Sequence, residues 1–313
     1  MTWRAVLFVA LLRAMALTTL LAAVGCGESG EHPLGSSVLF TQLSGGGDHT
    51  CGVSSSQSLL CWGADGWAQS TPPTQGVFHQ VSAGAAHTCA VDEDGALVCF
   101  GLSDHEQATP PPGAFTAVDA GRLTTCALDI DGQLTCFGCR EEDVVFEDNT
   151  PTCADRDVRT LDGPFADVSV GRWHHTCTLD VNGDVVCHGG DDFGETAVPS
   201  SWTDVQKVVA GWANTCALLA DGSIDCVGRD SYGESSPPSG TFVDFDLGTT
   251  HGCAVDVDGA VQCWGSNDSG QLDVVADQTY TAIIVGDRHS CGLTQFRRAV
   301  CWGRDTQDQL GVP

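Results

Sequence analysis

Lysine is almost missing from this 313-residue chain. Lys207 is the only one, and 13 basic residues stand against 41 acidic ones, for a net charge of −28. A nucleic-acid binder needs clustered Lys and Arg to displace counterions from phosphate, so the charge argues against that class. No Gly-x-Ser-x-Gly elbow, His-Glu-x-x-His pair or phosphate-binding glycine loop occurs, so these hydrolase and nucleotide-binding signatures are absent. After the first 25 residues no segment has helical periodicity, which leaves strands and turns. The N-terminal apolar run is short and interrupted, too weak for a spanning helix. What the chain does have is 42% hydrophobic residues, enough for a packed core, and 17 cysteines. The first excludes wholesale disorder and the second an ordinary reduced cytosolic protein.

Residues 1–25 read as an export signal. Arg4 and Arg13 carry positive charge, no acid precedes Glu28, and small apolar residues run into Cys26. Ala23-Val24-Gly25-Cys26 resembles the bacterial lipobox, with Ala in place of the usual Leu. That implies lipidation of Cys26 after cleavage, and Gly27 rather than Asp beside it points to the outer membrane. A plain secretory signal is the alternative. Removing residues 1–25 leaves 11 basic and 41 acidic residues, a net charge of −30. Residues 26–37 form a tether, and 38–313 the folded domain.

Cysteines recur in pairs ten residues apart: 51/61, 89/99, 126/136, 177/187, 216/226, 253/263 and 291/301. The first members lie 37–39 residues apart, except where an insertion at 139–160 widens one interval to 51 and adds Cys139 and Cys153. With Cys26, this accounts for all 17. Gly stands five before the first Cys in six copies, and His two before it in five: His49, His87, His175, His251 and His289. Gly stands two after the second Cys in all seven.

Each unit centres on a hairpin. In Cys89-Ala-Val-Asp-Glu-Asp-Gly-Ala-Leu-Val-Cys99 a three-residue loop at Glu93-Asp94-Gly95 places Gly at the left-handed position. Residue 91 then pairs with 97, and 89 with 99, a close non-hydrogen-bonded pair within disulfide reach. The expected bonds are Cys51–Cys61, Cys89–Cys99, Cys126–Cys136, Cys177–Cys187, Cys216–Cys226, Cys253–Cys263, Cys291–Cys301 and, across the insertion, Cys139–Cys153. A third strand precedes each hairpin, as at Phe78–Ser82. Seven such units predict an all-β, seven-bladed β-propeller with one disulfide-stapled hairpin per blade. Copies one and seven lack the Asp-Gly turn and are expected to be the least regular.

The unit "AG..HTCAV...G.V.CWG.N..GQL", clearest from His251 to Leu272, resembles the regulator-of-chromosome-condensation repeat family and covers essentially residues 38–313. The resemblance implies a seven-bladed propeller. Bacterial members include a seven-bladed β-lactamase inhibitory protein, whose propeller face grips its partner. The family's namesake is a nucleotide-exchange factor for a small GTPase and binds chromatin. For an exported acidic lipoprotein neither a small GTPase nor a nucleic acid is expected as partner, and the membrane is expected only through the lipid.

The five histidines invite a metal reading, but one per blade spreads them around a ring, so no metal and no cofactor is expected. Asp-x-Asp/Asn-Gly turns, such as Asp180 to Gly183, lack the further oxygens of a calcium loop. His174 and His188, with nearby acids, offer a seed for an axial enzyme site, and enzymatic activity is not the favoured reading. The informative positions vary inside the fixed frame, between the Gly and the His/Cys. They hold Arg122, Leu123, Arg172, Trp173, His174, Trp212, Asp287 and Arg288. Arg and Trp are enriched in binding hot spots, so these residues are expected to line an exposed surface for an unidentified protein or glycan. A propeller enzyme and a passive structural surface protein are the competing readings.

Overall fold

The computed structural model describes residues 38–139, 144–147, 150–153 and 159–313, with side chains from 140 to 159 outside that description. The expected signal, Cys26 and the tether lie outside the described residues.

Among the described residues the secondary structure is strands, turns and bends. Blade 1 is β1 (Phe40–Gly45), β2 (His49–Ser54) and β3 (Leu59–Gly63). Blade 2 is β4 (Phe78–Ala83), β5 (His87–Asp92) and β6 (Leu97–Gly101). Blade 3 is β7 (Phe115–Ala120), β8 (Thr124–Asp129) and β9 (Leu134–Gly138). The insertion contributes a hairpin, β10 (Val144–Glu147) with β11 (Thr150–Cys153), and β12 (Arg159–Leu161), which adds a fourth strand to the outer edge of blade 3. Blade 4 is β13 (Phe165–Val170), β14 (His175–Asp180) and β15 (Val185–Gly189). Blade 5 is β16 (Lys207–Ala210), β17 (Asn214–Leu218) and β18 (Ile224–Gly228). Blade 6 is β19 (Phe242–Leu247), β20 (His251–Asp256) and β21 (Val261–Gly265), and blade 7 is β22 (Tyr280–Val285), β23 (His289–Thr294) and β24 (Ala299–Gly303). Every blade is an antiparallel meander in chain order.

The hairpin register is the expected one. Cys89 faces Cys99 and Val91 faces Leu97, with the Asp92 N–H donating to the Ala96 carbonyl at 3.0 Å. All seven hairpins carry the staple at the same rung, with Cα separations of 4.0–4.1 Å. Cys139 is also disulfide-bonded, while the side chain of its expected partner, Cys153, lies outside the described residues.

The core is seven seams rather than one centre. The disulfide face of each hairpin is apolar because side chains alternate with period two, and it packs on the next blade. Cys51, Val53 and Leu59 of blade 1 meet Phe78, Val81 and Ala90 of blade 2. The same pattern closes the ring, where Cys291, Leu293 and Ala299 of blade 7 meet Phe40 and Leu43 of blade 1. The Trp62 indole N–H donates to the Gln309 carbonyl at 2.8 Å, tying the C-terminal segment to blade 1.

Copies one and seven are as regular as the others, which corrects the expectation. Gln57 and Arg297 occupy the left-handed position that Gly95 fills in blade 2, with φ of 62° and 60°. The Asp92 carboxylate accepts from the Ala96 N–H; in its place the Ser54 and Thr294 hydroxyls accept from the Ser58 and Arg298 N–H groups, each at 3.1 Å. A hydroxyl therefore serves where an Asp-Gly turn uses a carboxylate.

Candidate functional site

The loops between the inner and middle strands gather at one end, around the axis. Their glycines touch blade to blade. The Gly47 N–H donates to Gly84 O at 3.1 Å, Ala85 to Gly121 O at 3.0 Å, Arg172 to Gly211 O at 2.9 Å and Asp287 to Gly47 O at 3.1 Å. A Cβ on Gly84 would collide with the Gly121 carbonyl, so the backbones of neighbouring loops approach too closely for any other residue.

The repeated histidines lie beneath this belt. His49 Nε2 is 2.8 Å from the Thr88 hydroxyl, which itself donates to Gln69 O at 2.9 Å. The ring must therefore donate from Nε2, which leaves Nδ1 as an unpartnered acceptor packed against Gly46. His87 with Thr125, His175 with Thr215, His251 with Ser290 and His289 with Thr50 repeat the bond to the following blade. Burial drives these imidazoles down, to about 3 for His49 and His251 and about 4 for His87, His175 and His289. They are neutral seam ties. Among the described residues no cluster of His, Cys, Asp and Glu is arranged to hold a metal.

Above the belt, blades 3 to 5 build a continuous stack. The Arg122 guanidinium lies over the Trp173 ring at 5.1 Å, and Trp173 meets Trp212 at 4.9 Å. Arg229 covers Trp212 at 4.8 Å and Tyr232 at 5.3 Å. His174 packs on Trp173 at 4.8 Å, and its Nε2 lies 3.9 Å from an Asp192 carboxylate oxygen. Desolvation lowers His174 from its ordinary value, with Asp192 opposing. The two indoles, tilted by 44° to each other, are flanked by a guanidinium on each side, which adds cation–π energy and restricts the orientation of all four side chains.

The expected site residues divide. Arg122, Trp173, His174 and Trp212 are brought together, each partly exposed, and Arg288 is exposed on the same end in blade 7. Leu123 is a correction: it is 8% exposed and faces the interior. Arg172 is another. Its guanidinium crosses the axis from blade 4, donating to Asp287 at 3.1 Å, Gly45 O at 2.6 Å and Val285 O at 2.8 Å, and its side chain is only 12% exposed. Three acceptors on the two opposite blades outcompete solvent for its donors. Asp287 is thereby committed to Arg172. Arg229 and Tyr232 were missed because they sit in the linker after the outer strand. A sequence signal did exist: Trp67, His105, Phe193 and Tyr232 occupy one equivalent linker position, and Trp67, Phe193 and Tyr232 are 50–58% exposed.

Below Arg172 lies an axial cavity of about 240 Å³. The inner strands pair with nothing across the axis, so side chains bridge them. The Gln42 amide donates to Val81 O at 3.3 Å and accepts from the Val81 N–H at 2.9 Å, and Gln80 does the same with Val118. Asp119 and Asp246 accept from the N–H groups of Val170 and Val285, both at 2.7 Å. Lys207 is placed here, donating to Asp244 and to Phe245 O, both at 2.7 Å. Desolvation raises Asp119 and Asp167, and lifts Asp246 to about 6. The polar axis thus serves as a set of ties between blades. His188, the other half of the expected axial seed, is exposed on β15 at the outer edge of blade 4.

The profile of the regulator of chromosome condensation (RCC1) repeat matches residues 78–107, 205–234 and 242–271, which fall in blades 2, 5 and 6. Three of the seven blades thus carry a recognisable RCC1 repeat. No curated protein matches it in sequence. Among solved structures, it is similar to the CRINKLY WD40 ectodomain of the Arabidopsis thaliana receptor kinase ACR4, with a TM-score of 0.69, 18% identity, and coverage of 88% of this chain and 100% of that one. The ectodomain of the Physcomitrella patens receptor kinase CR4 gives 0.68 and 19%, covering 85% and 74%. Prp20p from Saccharomyces cerevisiae gives 0.69 and 14%, covering 88% and 84%, and was described with its binding to Gsp1p and histones. At these identities the likeness shows the fold alone. It nonetheless corrects the expected absence of a small GTPase from the partners: this propeller fold does engage one, so the fold supports no such exclusion. The seven disulfides place the domain in an oxidising, extracytoplasmic setting, and among the described residues no helix is long and apolar enough to cross a membrane.

Proposed function

We propose that the chain is a protein-binding scaffold, tethered outside the cytoplasm by a lipid on Cys26, which captures its partner on the Gly-loop face across blades 3 to 5. The RCC1-type fold supports a protein-binding scaffold in general. The observation that carries the choice of face is the stack of Arg122, Trp173, Trp212, Arg229 and Tyr232. Preorganised aromatic and arginine side chains at a surface are the residues that dominate binding energy, because little side-chain entropy remains to be lost.

Pull-down from envelope extract with the mature domain tests this. Trp173→Ala with Trp212→Ala should abolish capture of a partner that the unaltered protein retains. Capture unchanged by that pair would contradict the choice of face. Mass spectrometry of the membrane fraction tests the anchor, which requires an acylated N-terminal Cys26.

A further inference from the structure

We infer that the stack holds a carboxylate of an acidic protein segment at Arg122, with an apolar or aromatic residue of the same segment on the Trp173–Trp212 shelf. This rests on the Gly-loop face being the docking surface, and adds the chemistry it reads.

The two stacked arginines are not equivalent. Arg229 has partners for its donors: its Nε donates to the Ser231 hydroxyl at 3.2 Å and lies 3.5 Å from the Glu234 carboxylate. Arg122 has only its ring contact; among the described residues its guanidinium makes no hydrogen bond or ion pair. It is half-buried, and desolvation pushes it down from its ordinary value with only Asp287 opposing. Asp287 makes no hydrogen bond or ion pair with it; the Asp287 Oδ1 instead accepts from Arg172 at 3.1 Å. A guanidinium held over an indole by its carbon still has five N–H donors in a planar fork, and that fork can receive a carboxylate in two parallel bonds.

The arginines are concentrated at this end. Five of the eight basic residues with described side chains lie at this end: Arg122, Arg172, Arg229, Arg288 and Arg304. The rest of the molecule, at −28 overall, repels extended anionic surfaces. A short acidic segment meets the local exception without meeting the whole field. The aromatic shelf beside Arg122 takes a side chain, which a bare anion does not offer. Tyr232, about half exposed, extends that surface beyond Arg229.

The test uses the mature chain and three immobilised peptides sharing one frame: Glu-Phe-Glu, its Gln-Phe-Gln twin, and phosphoserine-Phe-phosphoserine. The acidic peptide should bind about tenfold more tightly than its amide twin, and the preference should shrink between 50 and 500 mM salt. Arg122→Gln should erase that preference with the melting temperature unchanged, while Trp173→Ala should weaken both peptides alike. Equal binding of the twins, a preference that survives Arg122→Gln, tighter binding of the phosphopeptide, or no binding of any peptide would overturn the inference. If capture from extract depends on Trp173 and Trp212 but not on Arg122, the docking face stands and the carboxylate reading falls. If capture depends on none of them, the docking face falls as well.

Discussion

The two ends of the propeller use one repeat in opposite ways. At the hairpin end the side chains are fixed. Asp92 Oδ1 accepts from the N–H groups of Asp94 and Ala96 at 3.0 and 2.8 Å, and Asp129, Asp180 and Asp256 repeat the pattern. At the Gly-loop end the backbone is fixed and the side chains are not. The glycines and histidines recur because neighbouring blades leave them no room. The two or three residues between them range from Ala85-Ala86 to Arg172-Trp173-His174; Leu123 and Ala213 turn inward and Arg172 ties the axis, while Arg122, Trp173, His174 and Trp212 reach the surface. Sequence freedom in a repeat therefore marks where packing has stopped constraining, and that is the end where the cation–aromatic stack stands.

The strongest way to break the constrained part is acid. Five histidines have folded pKa values of about 3 to 4, below the ordinary 6.5. A group depressed on folding contributes stability that is full above its unfolded value. That contribution is lost as pH falls from about 6.5 through the folded value, because the unfolded chain takes up the proton first. The loss is up to about 1.4 kcal/mol per pH unit for each histidine. Asp119, Asp167 and Asp246 are raised and oppose it, gaining stability as pH falls. The histidines outnumber them, so denaturant titrations at pH 7 and pH 4.5 should show a loss of several kcal/mol. His87→Asn should make the pH dependence shallower, since Asn214 already fills that position in blade 5.

A smaller effect separates the two kinds of glycine-loop position. Gly84→Val drives a side chain into the Gly121 carbonyl and should cost about 3 kcal/mol by urea denaturation. Arg172→Ala should cost about 2 kcal/mol, because it strands Asp287 and two carbonyls at the axis. Arg122→Ala, on the same face, should stay within about 0.5 kcal/mol of the unaltered protein. Equal costs for the two arginines would erase the distinction between tie and binding residue. Smallest of all, Gln57→Gly and Arg297→Gly should each stabilise by about 0.5–1 kcal/mol, by relieving left-handed backbone at a non-glycine residue.

The fold was legible in the sequence because its rules are local. A ten-residue cysteine spacing and a turn in the middle determine the register, and the 38-residue period determines the ring. The end on which Arg122, Trp173 and Trp212 lie was legible for the same reason, since equivalent loops share one place. The direction of Arg172 was not. Its acceptors Gly45 and Val285 are more than a hundred residues away in sequence and become neighbours only when the ring closes. Arg229 and Tyr232 lay hidden in the linkers, which vary too much to read as part of the repeat. The sound turns of blades 1 and 7 escaped because Ser54 and Thr294 do the work of an aspartate with a different atom.

The central claim is that one end builds the ring and leaves the other side chains of that end free to bind. Hydrogen-exchange footprinting of the mature protein with its captured partner tests it most directly. The account predicts added protection at residues 121–123, 172–174, 211–213 and 229–232, and none at the hairpin turns 92–96, 129–133 and 256–260. Protection centred on the hairpin turns, with the Gly-loop segments unchanged, would contradict it.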